Sequence, residues 1–149
     1  MSSRRSQQLD TDAATSARLS RIRQKSTAPE LAVGEILRSL GFYYRLTNRD
    51  LPASPDFANR RRRWAIFVHG CFWHAHAGCP RATVPKRNTD FWKAKFSANK
   101  KRDATTLKAL RAQGYDAVVI WECELRDAPV VVLERLKTLQ TVVTTRTAV

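Results

Sequence analysis

Residues 64–80 read Trp64-Ala65-Ile66-Phe67-Val68-His69-Gly70-Cys71-Phe72-Trp73-His74-Ala75-His76-Ala77-Gly78-Cys79-Pro80, an apolar run followed by a loop of thiols, imidazoles and rings. Residues 64–68 have the length and bulk of a buried strand, and Gly70 and Pro80 bound the loop behind it. Working back, residues 59–63 form a basic turn, and Pro55-Asp56-Phe57 opens a second strand, so the two strands are expected to pair as a hairpin with a charged tip. Residues 42–46 are an aromatic third strand candidate. Before them, Thr27-Ala28-Pro29-Glu30 has capping-box spacing, Val33, Ile36, Leu37 and Leu40 follow at helical intervals, and Gly41 supplies a stop.

Working forward, Thr89 can cap a long amphipathic helix or helix pair to about residue 113, with Gly114 ending it. Residues 117–121 are apolar and β-branched, as a central buried strand would be, and residues 129–140 read as a last helix with Val132, Leu133, Leu136 and Leu139 inward. The order α, β, β, β, α, β, α predicts an α/β fold, a mixed sheet flanked by helices. The organisation expected is a basic arm or short helix over 1–26, one domain over 27–140 and a tail over 141–149.

Lys and Arg number 27 against 13 Asp and Glu, a net charge of +14 that attracts polyanions, nucleic acid first. No apolar run approaches the roughly 20 residues that span a bilayer, and residues 1–28 hold no apolar stretch with a cleavage site, so a soluble cytoplasmic protein without a membrane partner is expected. Three Cys is an odd number, which disfavours a disulfide framework and suits a reducing compartment where thiolates hold a metal.

Cys71, His76 and Cys79 lie within nine positions and Cys123 follows the buried strand at 117–121. Sulfur and imidazole ligands in a short loop, with one remote ligand on a sheet edge, are what a closed tetrahedral Zn²⁺ site requires. His74 is a competing ligand in the same loop. Asp56 and His69 stand at ends of strands that would pair, so a carboxylate and an imidazole can face one cleft. Phosphodiester hydrolysis needs a divalent cation on a carboxylate, a base for water, and a donor or cation for the developing charge. Asp56 can hold Mg²⁺ with the Val68 backbone carbonyl, His74 can act as base, His69 can orient phosphoryl oxygens, and Glu30 could orient an imidazole. Phe72 and Trp73 are adjacent in the loop and Trp92 opens the long helix. They are either core or wedges for a base step, and unstacking costs least where pairing is already weak.

Taken together, Phe67-Val68-His69-Gly70-Cys71-Phe72-Trp73-His74 strongly resembles the hallmark of very short patch repair endonucleases. Residues 18–30, Pro55-Asp56-Phe57, Asp90-Phe91-Trp92 and Trp121-Glu122-Cys123 agree with that family in order and approximate spacing, leaving only the extreme ends outside. The resemblance implies a fold related to restriction endonucleases and a strand nick 5′ to the thymine of a T:G mismatch left by 5-methylcytosine deamination. It further implies Asp56 as Mg²⁺ ligand, His74 as base, His69 as second catalytic histidine and Glu30 as supporting acid. Cys71, His76, Cys79 and Cys123 would hold structural Zn²⁺, and Phe72, Trp73 and Trp92 would intercalate. An N-terminal helix with Arg18, Arg21, Arg23 and Lys25 would lie against the minor groove of double-stranded DNA, and a monomer that hands its product to repair proteins is expected. Two positions depart from the pattern: Val68 replaces a Thr, and the histidine-rich loop is one residue longer. Two other readings stay open, an endonuclease of different specificity and a zinc-stapled DNA-binding module without catalysis.

Overall fold

Strand alternation decides how the layers stack. The computed structural model describes residues 27–146, in the order α1 (Ala28–Ser39), β1 (Phe57–Asn59), β2 (Trp64–His69), α2 (Thr89–Ala112), β3 (Asp116–Trp121), α3 (Glu122–Asp127) and α4 (Pro129–Arg146). β2 is the middle strand, antiparallel to β1 with Phe57 opposite Ile66, and parallel to β3 with His69 opposite Trp121. Successive residues point to opposite faces. Phe57, Trp64, Ile66 and Ile120 therefore join Val33 and Leu37 of α1 and Val132, Leu136 and Leu139 of α4 in one core. Ala58, Ala65, Phe67 and Ala117 pack on the other face with Leu110 of α2. The mixed α/β sheet expected from the sequence is thus covered on both faces. His69 and Trp121 share the parity of Phe67 and Ala117, so their side chains lie on the α2 face.

Local signals explain most boundaries. Thr27 caps α1, its side chain accepting from the Glu30 N–H at 3.5 Å, and Gly41 at φ 72° ends it while Phe42 N–H returns to the Leu37 carbonyl. Such a positive φ favours glycine. The basic hairpin is present, with Asn59 opposite Trp64 and Arg63 at φ 56°.

Four expectations are corrected. Residues 42–46 make only an isolated bridge, Arg45 to Ala58, which is not extended because the Asn59 side chain rather than a strand N–H donates to Tyr43 O, while Asn48 adds a second donor to Arg45 O. The central strand is β2, and β3 lies at the edge of the sheet. The carbonyls of Ala117 and Val119 accept from Arg111 and Arg135 instead of another strand. Asn88 occupies the cap of α2, while Thr89 is its first residue and donates to the carbonyls of Pro85 and Lys86. The last helix runs to Arg146, six residues beyond the expected 140. The arm over 1–26, with Arg18, Arg21, Arg23 and Lys25, lies outside the described residues.

Candidate active site

Past the end of β2 the loop winds back on itself through short turns, His76 N–H to Cys71 O at 3.0 Å and Cys79 N–H to His76 O at 3.2 Å. Ala75 and Gly78 take positive φ to make these turns. The result gathers Cys71, His76 and Cys79, and the start of α3 adds Cys123, all four ligand atoms lying within 4.8 Å of one another. Cys123 Sγ is 3.4 Å from His76 Nδ1. Burial pushes the Cys71 thiol up to about 12, with the Cys79 and Cys123 thiols adding to the rise, and burial also raises Cys123 against the hydrogen bond from Cys71. Three thiols packed this closely gain most by sharing a cation that ionises them, and the S₃N set suits zinc. His74 is outside this group, which resolves the competition between the two histidines.

His74 belongs instead to a second cluster with His69 and Asp103. The two imidazoles lie flat on each other, centroids 3.7 Å apart and planes 3° from parallel. Asp103 of α2 holds His74 through Nδ1 at 2.7 Å. His69 is 7% exposed, and burial, aided by the neighbouring His74, lowers its pKa to about 4. A neutral His69 ring can therefore stack flat on His74.

Asp56 stands just before β1, and its Oδ2 accepts the Val68 N–H at 2.7 Å. Burial raises its pKa to about 6, against that hydrogen bond, and the charge of Glu30 adds to the rise. A carboxylate held where ionisation is costly is one that a cation would relieve. Glu30, Asp56, Val68, His69, His74, Arg102 and Asp103 line one cavity of about 270 Å³. The cleft expected from the sequence exists. The acid on His74 Nδ1 is Asp103, and Glu30 stands with Asp56.

The loop aromatics form a cluster. Phe72 contacts Trp73, Trp92 and Phe96 at centroid distances of 5.1, 5.6 and 5.3 Å. Trp92, expected as a wedge with Phe72 and Trp73, is only 8% exposed and instead forms the floor of the cluster with Phe96, because burial leaves its ring no face to offer, while Phe72 and Trp73 are half-buried. Asn99 donates to the Trp73 carbonyl at 3.0 Å.

Asp103 and Asn99 are the site residues that sequence reasoning missed. The signal was present: Trp92, Phe96, Asn99 and Asp103 follow at intervals of 4, 3 and 4, one stripe of a helix, so two polar residues sit on the inward face.

A covered mixed sheet whose strand ends gather a carboxylate and an imidazole pair around one open cavity has a restriction-endonuclease-like fold. The catalytic domain of the homing endonuclease I-Bth0305I has this fold, with a TM-score of 0.52, 23% identity, and coverage of 79% of this chain and 98% of that one. The chain belongs to the Vsr family of DNA mismatch endonucleases, whose profile matches residues 8–81. It is 45% identical to the type II nicking enzyme V.XorIIP of Xanthomonas oryzae pv. oryzae, over 73% of this chain and 79% of that protein. To the DNA mismatch endonuclease Vsr of Escherichia coli it is 37% identical, over 70% of this chain and 67% of the relative. It is accordingly a DNA endonuclease.

Proposed function

We propose that the protein nicks one strand of double-stranded DNA 5′ to the thymine of a T:G mismatch that arises by 5-methylcytosine deamination, in a Mg²⁺-dependent hydrolysis. The observation that carries this reading is the single cavity in which Asp56 meets His69 and the His74–Asp103 pair. Asp56 and the Val68 carbonyl would hold Mg²⁺; the N–H and C=O of a strand residue leave on the same edge, so that carbonyl points with the N–H that Asp56 accepts. When bound, the cation supplies positive charge to the scissile phosphate.

The remaining work falls to side chains. His74, fixed through Nδ1, offers Nε2 to the attacking water, and Asp103 steadies the imidazolium that forms when the proton moves there. His69 stays neutral and directs a ring nitrogen at a phosphoryl oxygen. Glu30, beside Asp56 in the cavity, would add negative charge to the cation site. Phe72 and Trp73 wedge the weak base step open while Trp92 and Phe96 back them, the mismatch lowering an unstacking cost of a few kcal/mol. Cys71, His76, Cys79 and Cys123 hold Zn²⁺ as a structural staple. Arg18, Arg21, Arg23 and Lys25 engage phosphates, and because one chain completes the cavity the protein acts as a monomer.

Strand cleavage on end-labelled duplexes that differ only in one pair, T:G or T:A, with and without Mg²⁺, tests the proposal. Selective, Mg²⁺-dependent nicking of the T:G duplex is expected. Equal cutting of both would reject mismatch specificity in favour of a related endonuclease, and no cutting with any divalent cation would leave a DNA-binding module.

A further inference from the structure

Trp121 ends β3 directly opposite His69, and its indole is the ring common to all three histidines among the described residues. It stacks on the His76 imidazole, centroids 4.0 Å apart and planes 7° from parallel. His69 and His74 stand nearly perpendicular to it, at 5.2 Å and 78° and at 6.3 Å and 76°. One ring thus joins the zinc cluster to the imidazole pair in the cavity.

The residue is anchored through its backbone, which lies in the β2 to β3 ladder and whose amide N–H donates to Glu124 Oε2 at 3.2 Å. Arg135 of α4 in turn grips both oxygens of Glu124, at 3.1 and 3.2 Å, and donates to the Val119 carbonyl. Imidazoles rotate broadly about χ2 unless packing stops them. Asp103 pins one nitrogen of His74 and His69 stacks on its face, but a stacked pair of rings can still turn together. A flat wall perpendicular to both rings removes that freedom.

We infer that Trp121 is a positioning residue, which carries the fixed orientation of the zinc-cluster imidazole across to His69 and His74 and holds that pair in register for attack. The inference rests on the reading of His74 as the base, and its test separates the two. The variants are Trp121→Leu and Trp121→Phe in the full-length, zinc-loaded protein. Zinc content, melting temperature, affinity for a T:G duplex without Mg²⁺, kcat, KM, and the ¹H–¹⁵N resonance of the His74 ring N–H bound to Asp103 would be measured.

Trp121→Leu is expected to keep one zinc per chain and duplex affinity within about twofold, while kcat falls at least tenfold with KM unchanged. The His74 ring N–H resonance, held downfield by Asp103, should broaden or exchange faster with water. Trp121→Phe, which keeps a flat ring, should restore most of kcat and of the resonance. Should the leucine variant retain both kcat and a sharp resonance, the inference is overturned. It is equally overturned if both variants lose zinc and melting temperature together, since that marks a merely structural residue. If the wild-type protein nicks nothing, the catalytic reading fails alone, and the resonance still reports whether Trp121 orders His74.

Discussion

At Asp56 and His69 burial acts on two groups of opposite charge, and in both it favours the neutral form: the carboxyl rises to about 6 and the imidazole falls to about 4. For Asp56 the folded value lies above the unfolded 3.8, so the metal-free fold loses stability as pH rises through this interval and carries the full cost, up to about 3 kcal/mol, above it. For His69 the folded value lies below the unfolded 6.5, so stability is lost as pH falls from 6.5 to about 4. Asp56→Asn should therefore melt several degrees higher than wild type at pH 7.5 without Mg²⁺, show no further rise when Mg²⁺ is added, and nick at least about 10³-fold more slowly. Calorimetry alongside the cleavage assay reads all three, and retained nicking would refute the ligand role. Without an ionisable Asp56 to regain stability on protonation, the variant should also lose stability more steeply than wild type between pH 6.5 and 4. Asp103→Asn leaves His74 without its anionic partner. A kcat about 10²- to 10³-fold lower with duplex affinity unchanged is expected, and an unaltered kcat would remove Asp103 from the mechanism.

Among the elements, α2 does most to assemble the site. Its inward stripe carries Trp92 and Phe96 under the loop aromatics, Asn99 on the Trp73 carbonyl and Asp103 on His74. The zinc loop makes the complementary half, and although Phe72 rests on Trp92 and Phe96, Cys71 is the one loop residue that is fully buried. Bound metal, worth on the order of 10 kcal/mol in small domains, would supply the stability that so little burial leaves out. Cys123→Ser should therefore lose zinc and lower the melting temperature as a whole rather than slow chemistry alone. Metal analysis and thermal melting check this, and a well-folded zinc-free variant would contradict the staple. The aromatic stretch 42–46 shows the limit of reading elements locally. Phe42 and Tyr44 do turn toward the core as a strand would have them, but Asn48 and Asn59 satisfy the backbone and no ladder forms.

For the molecule as a whole, charge sets how it meets DNA. A DNA endonuclease at +14 is expected to bind its substrate with steep salt dependence, and the proposed phosphate contacts of Arg18, Arg21, Arg23 and Lys25 all fall within residues 1–26. Deleting residues 1–26 should lower the slope of log affinity against log salt by about 3.6, four contacts at about 0.9 each, while the remaining domain keeps its melting temperature. Anisotropy titrations between low and moderate salt measure the slope, and an unchanged slope would place the phosphate contacts elsewhere.

What the linear chain decides here is whatever depends on near neighbours or on a scarce residue type. Alternation in 64–69 dictates the two faces of β2, Gly41 and Thr27 bound α1, and with only three Cys available the remote Cys123 could be assigned to the Cys71, His76 and Cys79 cluster. Asp103 could not be chosen in that way, because it is one of 13 acidic residues and lies 29 positions from the histidine it holds. Only the docking of α2 across the sheet brings that carboxylate to His74, places Trp92 beneath Phe72, and sets Trp121 among three imidazoles. Docking depends on the summed burial of many side chains on two faces, a quantity that no local spacing encodes.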